Sequence, residues 1–556
     1  MLDPRAGGCG PGVVKRVIVL GGYGGFGARL SRLSRRLAAD GWAVLVAGRD
    51  RAAAARLAEG LPNAAALAVD RNGDLGPVLE AHRPFLLIDA AGPFQGSGYH
   101  VAEACIARGV HYVDLADARD FVCGVGRLDA AARAAGVVVV SGGSSVPALS
   151  GAVIAELARD MERVCSVEMS ISASNRATAG ASVAAAILSY VGKPVRLWRG
   201  GRWRQETGWH RLRRQDYAVA GRPPIRRLVA LADVPDHDIV PAALPGRPAS
   251  IFRAGPEFSF QLLTLWLLSW PVKWGWPGSL SPFARWLLPL QKLSARFGTD
   301  RSAMVIEVKG FFEGAPVLRR WTLIAENGDG PEIPTIAAHV AADAIAAGRL
   351  APGARPAAGE MSLAQFAPHF ERLALHRAIE SLPYVPLYRR VIGAVYGTMP
   401  QPVRDMHDLV GDAGAAGWGR VRRGRSRLAR LVCAVMRFPP EGEHDLHVSF
   451  EERDGVECWT RDFSGHVFSS ELSQSGARLV ERFGPMRFSF DLPVDASGLA
   501  MVMRGWSVFG LPMPLALAPR STAREWAEGE DFCFDVPIGL PVIGEVVHYS
   551  GRLRRL

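Results

Sequence analysis

Over the first 150 residues, short unbroken apolar runs alternate with longer amphipathic stretches. Val17–Leu20, Trp42–Ala47, Ala64–Val69, Phe85–Ile88, His111–Leu115 and Val137–Val140 are too short for helices and rich in β-branched residues, so they read as strands. Leu30, Leu33 and Leu37 recur at helical spacing, and alanine-rich helices are predicted over Arg51–Glu59, Leu75–His82 and Gly98–Arg108. Continuous rather than alternating strands suit a parallel sheet covered on both faces. Regular alternation of strand and helix predicts a doubly wound sheet with right-handed crossovers over 15–150.

The pattern then changes twice. In 151–375, Val167–Ala173 alternates as a strand, and Met304–Phe312 and Arg320–Ala325 read as an antiparallel pair around a turn at 312–317. Helices are predicted over Ala152–Met161, Ala181–Tyr190 and Pro334–Ala347, and another running to about Ile379. This is a second, α+β unit, expected to serve substrate binding or dimerisation. From 382 to 556 short strands follow one another, broken by turns such as Asp454-Gly455 and Gly484-Pro485, which predicts an antiparallel barrel or curved sheet with an internal cavity.

The segment 258–290 stands out, with Leu262, Trp266, Leu267, Trp270, Trp274, Trp276, Trp286, Leu287 and Leu288. Its helical part is expected to end before Pro271, short of the roughly 20 apolar residues a membrane span needs. Two readings stay open: a buried lid over an apolar pocket, or a patch dipping into a membrane surface. Both point to an apolar substrate.

Composition changes this picture little. Hydrophobic residues make up 49% and charged residues 21% of the 556, an ordinary globular balance. The net charge of +11 comes almost wholly from arginine spread along the chain, so no nucleic-acid partner is expected. The dense run from Arg420 to Arg430 reads as a solvated face or as a phosphate or anionic-lipid contact. Arg461, Glu481 and Arg482 are expected to form ion pairs in the barrel wall. Seven widely spaced cysteines without a C-x-x-C fit reduced thiols, with neither a disulfide framework nor a metal site. The first residues lack a signal-type apolar core, so the expected location is cytoplasmic, with the inner membrane face left open.

The chemistry concentrates where the first strand ends. Gly22, Gly24 and Gly27 form G-x-G-x-x-G between that strand and a helix. Gly22 allows a tight turn, Gly24 lets the backbone approach a pyrophosphate, and Gly27 lets helix and strand pack closely. The helix N-terminus then offers free N–H groups to phosphate. The second strand ends at Arg49, with Arg51 beyond, where an acid would bind an unphosphorylated ribose. This selects NADP(H); Asp50 keeps NAD(H) open. Asp70 faces the adenine or caps a helix, and Gly92-Pro93 lies at the ligand end of the fourth strand. Tyr112 and Asp114 share one face of the fifth strand and are the candidate catalytic pair; a core tyrosine and a capping aspartate is the competing reading. Ser144 and Ser145 border the same region. No tyrosine is followed by lysine at the short-chain dehydrogenase spacing, and no G-x-S-x-G elbow surrounds Ser144.

Gly21 through Gly27, Ala47-Gly48-Arg49, Ala90 through Phe94 and Ala104 through Asp114 together resemble the saccharopine dehydrogenase-like family over about 15–150. The resemblance implies an NAD(P)-binding oxidoreductase domain followed by a mixed α/β domain, and adds Gly25, Phe26 and Ala91 to the cofactor set. Trp459 through Phe463, Glu481 through Pro485, Gly510 through Pro514 and His548 through Gly551 resemble a domain of unknown function fused to such domains. The expectation is an NADP(H)-dependent oxidoreductase acting on a lipid-like carbonyl or enoyl compound. A nucleotide-binding scaffold or lipid carrier without catalysis is the alternative. A homodimer and a peripheral membrane contact through 258–290 stay open.

Overall fold

The computed structural model describes residues 15–32, 35, 41–176, 181–283 and 294–556. Leu33, Leu37, Trp286, Leu287 and Leu288 fall outside the described residues.

The first sheet is parallel. Its strands are β1 (Lys15–Leu20), β2 (Trp42–Gly48), β3 (Ala64–Ala68), β4 (Leu86–Asp89), β5 (His111–Asp114) and β6 (Val138–Ser141). Their order is 3-2-1-4-5-6, and a strand from much later in the chain, Gly353–Pro356, pairs with β6 as a seventh. The order reverses between β1 and β4, which opens a crevice at the carboxyl ends of those strands. Helices cover both faces, so β1, β2, β4, β5 and β6 are largely buried between two layers, while β3 at the edge stays partly exposed.

The second sheet is mixed, in the order Arg213–Tyr217, Ile225–Leu231, Ala249–Gly255, Arg163–Ser172, Ser302–Phe312, Ala315–Ala325 and Leu375–Pro383. Helices Ser150–Leu157 and Ile333–Ala346 lie between it and the first sheet. One continuous core runs from Val17, Val19 and Val113, through Ala152 and Ala341, to Met304 and Trp321. The second of these helices is alanine-rich because it is buried almost all round. Arg119 fastens the two units together. It donates to both oxygens of Asp238 at 2.7 Å and to Asp233 at 2.9 Å.

The far face of the second sheet is polar and meets the third unit. Lys309 Nζ lies 2.5 Å from Glu452, and Arg199 donates to Asp412 at 2.7 Å. Glu168 is shared by Arg253, at 2.7 Å, and Arg213. Their charges hold its carboxyl well below the usual range.

The third unit is a closed antiparallel barrel. Its ten strands run from Asp412–Arg423 through Gly442–Arg453, Val456–Phe463, His466–Ser475, Arg478–Phe483, Met486–Asp491, Gly498–Val508, Thr522–Glu528 and Asp531–Leu540 to Gly544–Arg555. Pairing of Met486–Asp491 with Gly498–Val508, and of the first strand with the last, closes the ring. Helices Leu387–Ile392 and Gln401–His407 plug the end nearest the second sheet.

Four local expectations change. The helix read up to Ile379 stops at Phe370, and Leu375–Pro383 is an edge strand paired along its whole length with Ala315–Ala325. The turn read at 312–317 is only Glu313-Gly314, because the pairing extends to Phe312 and Ala315. The helix expected to end before Pro271 continues to Lys273. Proline there removes one N–H near the helix end, and Trp274 still bonds back to Trp270 at 3.1 Å. Strands Pro194–Arg199, Arg202–Thr207, Arg213–Tyr217, Ile225–Leu231 and Ala249–Gly255 carry no counterpart in the sequence reading. Among the described residues, no helix is long and apolar enough to cross a membrane.

Candidate active site

The glycine loop has the geometry its residues dictate. Gly21 adopts φ +74°, a left-handed conformation that turns the chain as β1 ends. Gly22 donates to the Ala47 carbonyl at 2.9 Å, which ties the loop to β2. A Cβ on Gly27 would stand 2.0 Å from the Gly21 carbonyl oxygen, so helix Gly25–Ser31 can approach β1 only with glycine there. At Gly25 the reverse holds: a Cβ would meet nothing within 4 Å, and Gly24 and Gly25 are exposed. The loop is therefore packed on its inner side and open on its outer side, where Phe26 is partly exposed. Ala91 lies against Gly21, bringing the β4 loop with Gly92 and Pro93 onto the same opening.

The neighbours decide which nucleotide fits. Asp50 accepts from Ala53 N–H at 3.0 Å as the cap of helix Arg51–Ala58, and its own N–H donates to the Tyr23 hydroxyl at 2.9 Å. Its carboxylate is thus occupied as a helix cap. Arg49 and Arg51 are exposed and form no ion pair among the described residues. Two free guanidinium groups beside a tied-up acid suit a 2′-phosphate. Asp70 is exposed and accepts from Asn72 N–H at 3.1 Å, turning the chain after β3.

Tyr112 and Asp114 occupy a different place. Tyr112 is 1% exposed, inside the core formed with Ile18, Leu87 and Cys105. Its hydroxyl lies 3.5 Å from Asp89, which Arg71 holds at 2.9 Å. Burial and the nearby carboxylates push the Tyr112 hydroxyl well up. Asp114 accepts from Ala116 N–H at 3.0 Å, Gly142 N–H at 2.8 Å and Ser141 Oγ at 3.1 Å. Burial pushes its carboxyl up to about 7, against those hydrogen bonds. Asp114 thus staples the β5 and β6 ends together, Tyr112 ties β5 to β4, and both side chains are closed to solvent. Ser144 and Ser145, just past β6, are partly exposed at its edge.

Groups that do reach the opening lie beyond the strand ends. Asp117, three residues past β5, keeps contact with solvent and accepts from Gln95 Nε2 at 3.3 Å. The protein mass around it raises its carboxyl above the ordinary range. Tyr190, at the end of helix Ala181–Ser189, brings a hydroxyl within the electrostatic reach of Asp117 and Asp233, and burial raises it. Gln95, Asp117 and Tyr190 thus collect polar chemistry where the first two units meet. For Gln95 and Asp117 the only signal in the sequence is position, a few residues after a parallel strand, and Tyr190 carries none.

A second concave site lies inside the barrel. It is a cavity of about 240 Å³ walled by phenylalanine, methionine and aliphatic side chains. Its few polar groups include Arg461, Glu481 and Glu525. Arg461 donates to Ser470 Oγ at 3.0 Å, lies 3.9 Å from Glu481 and stacks over Trp459 at 5.5 Å. Arg482 pairs with Glu471 at 3.6 Å on the outside. On the floor, Glu525 meets His407 Nε2 at 2.6 Å, and Tyr388 stacks on that ring at 3.8 Å.

Residues 17–140 match the saccharopine dehydrogenase NADP binding domain, and 399–553 match a domain of unknown function, DUF4166. The matched nucleotide-binding domain marks the chain as an NAD(P)-dependent oxidoreductase. Its nucleotide-binding unit belongs to the saccharopine dehydrogenase-like family and its barrel to the DUF4166 family. No curated protein matches the chain. Among solved structures it is similar to GenD2 from gentamicin A biosynthesis in complex with NAD, at 18% identity over 57% of this chain and 75% of that one, with a TM-score of 0.26. WbmG of Bordetella bronchiseptica in complex with NAD is 17% identical over 20% of this chain and 39% of that one, with a TM-score of 0.16. The homospermidine synthase of Legionella pneumophila in complex with NAD is 10% identical over 67% of this chain and 92% of that one, with a TM-score of 0.43. The nucleotide of the matched domain is NADP(H), and the exposed Arg49 and Arg51 fit it. When bound, NADP(H) supplies hydride chemistry; the chain's own residues bind, orient and exchange protons around it.

Proposed function

We propose that the chain uses NADP(H) to reduce or oxidise an apolar, lipid-like carbonyl or enoyl compound. The observation that carries the substrate class is the barrel cavity, whose wall is almost wholly aromatic and aliphatic around a few polar groups. Such a wall stabilises a hydrocarbon body, while Arg461 and the Glu525–His407 pair can hydrogen-bond one polar end. In this reading the barrel holds the compound, and the crevice at Gln95, Asp117 and Tyr190 is where it meets the nucleotide. The helix Ser259–Lys273 fits an apolar ligand too, since Phe260, Leu263 and Leu267 are exposed on it and supply an apolar surface beside the second unit. The same surface suits peripheral membrane contact through 258–290.

One observation favours the non-catalytic alternative. Tyr112 and Asp114 are enclosed in the sheet and closed to solvent. Oxidation of NADPH in the presence of long-chain enals and ketones separates the two. The oxidoreductase reading predicts turnover that rises with chain length. A protein that binds NADPH but oxidises it with none of these compounds is a carrier or scaffold.

A further inference from the structure

The barrel has two unlike ends. At the end beside the second sheet lie the turns Arg453–Val456, Ser475–Arg478 and Glu528–Asp531, and the acids Asp491, Asp495, Glu528, Glu530 and Asp531. The other end is a rim of turns and links, the short Phe463–His466 turn among them. Strand register places the hairpin after Val508, the turn between Leu540 and Gly544, the turn between Phe483 and Met486, and the link from Arg423 to Gly442 all there.

Bulky apolar side chains project from that rim. Phe509 is 83% exposed and Leu511 70%, at the tip of one hairpin, and Val542 stands free on the next. The link from Arg423 to Gly442 contains helix Arg427–Val435. Its inner side, Ala429 and Cys433, is buried against the last strand, where the Cys433 thiol meets the Val546 carbonyl at 3.3 Å. Its outer side carries Leu428, Leu431 and Val435 at helical spacing, all more than half exposed.

Charge on the rim has one dominant sign. Arg425, Arg427, Arg430, Arg437, Arg487 and Arg520 are exposed and form no ion pair among the described residues. The acids there are Glu441, Glu443, Asp445, Asp462 and Glu545, of which Glu443 is already paired with Arg420 and Asp462 with Arg202, so the arginines outnumber the free acids. Exposed leucines interleaved with unpaired arginines describe a surface that lies in the headgroup layer of an anionic bilayer. The cavity wall also reaches this rim, through Met436, Met486 and Leu540, whereas Tyr388 and Met406 close the other end.

We propose that the barrel rim docks on an anionic lipid bilayer, with helix Arg427–Val435 lying in its interface and the cavity mouth facing the lipid. The proposal stands apart from the redox reading, because it needs neither NADP(H) nor turnover. It is also distinct from the apolar helix at Ser259–Lys273, which belongs to the second unit.

The test is co-sedimentation of the full chain with vesicles of phosphatidylcholine, alone or mixed with phosphatidylglycerol. The chain should partition into the mixed vesicles at least tenfold better than into the neutral ones, and less as salt is raised. Arg427→Glu with Arg430→Glu should lower that partition by well over tenfold, since each arginine near an anionic surface contributes roughly fivefold. Leu431→Asp should lower it about tenfold. Arg214→Glu, equal in charge to either rim change made alone but on the second sheet, should leave it within twofold. Unchanged melting temperature and NADPH affinity show that the variants fold. No preference for anionic vesicles, equal loss with Arg214→Glu, or rim variants that partition as the parent does would overturn the proposal. So would rim variants that only convert a dimer to a monomer in sedimentation velocity, which would assign the rim to a second copy.

Discussion

The nucleotide-binding unit and the barrel solve opposite problems. The first is solid: Tyr112, Val113 and Asp114 are all buried, and its open surface lies outside, on loops past the strand ends. The barrel is hollow, and its chemistry lies inside, on strand residues that face the centre. In a sheet covered by helices on both faces, neither strand face is free for a ligand. In a closed barrel, alternate residues of every strand converge on one space. A polar residue in mid-strand therefore means different things in the two units. Asp114 secures a fold, whereas Arg461 and Glu525 furnish a pocket.

The largest effect should come from Gly27→Ala. Its methyl has no room beside the Gly21 carbonyl, and helix and strand must separate. A loss of about 3 kcal/mol or more is expected, with nucleotide binding lost as well, read by thermal melting and NADPH fluorescence. Arg119→Ala should follow, at about 3–5 kcal/mol, because it leaves Asp233 and Asp238 facing a vacated site between the first two units. A barrel melted separately by its own tryptophan signal should be unaffected by either change.

Asp114→Asn tests the solid unit through pH. Burial raises the folded carboxyl to about 7, above its unfolded value. The stability that protonated Asp114 contributes is then fully present below about 4 and is lost as pH climbs through 7. The parent's advantage over the asparagine variant should shrink across that window by up to roughly 4 kcal/mol. A difference that is flat with pH, or grows, contradicts a buried carboxyl. Smaller still, Arg49→Ala should weaken NADPH by about tenfold to a hundredfold and leave NADH nearly unchanged, the difference being the lost charge-assisted contacts to one phosphate. Equal loss for both nucleotides would move the 2′-phosphate away from Arg49.

The first unit was legible because its signals are local. A glycine loop, β-branched runs and alanine-rich helices each announce themselves within a dozen residues. The role of Tyr112 and Asp114 was not, since alternation shows that two side chains share a face but not that a helix layer covers it. Asp117 and Gln95 carry no motif at all; they matter by standing beyond the ends of β5 and β4. In the second unit, strands such as Pro194–Arg199 and Arg202–Thr207 escaped notice because their arginines face acids far away in the chain. Arg196 reaches Asp238, Arg199 reaches Asp412 and Arg202 reaches Asp462, so the period-two apolar signal of a strand is missing. The barrel's strands showed their alternation, but closure rests on long-range register between Met486–Asp491 and Gly498–Val508 and between the first and last strands.

The central claim is that nucleotide and apolar ligand occupy separate units of one chain. Titrating NADPH and cis-parinaric acid, a fluorescent fatty acid, into the full-length protein tests it most directly. The account predicts one site for each, with neither displacing the other, and predicts that Ala523→Phe, which fills the barrel cavity, removes parinarate binding while leaving NADPH affinity intact. Displacement of parinarate by NADPH, or unchanged parinarate binding in a folded Ala523→Phe variant, would contradict it.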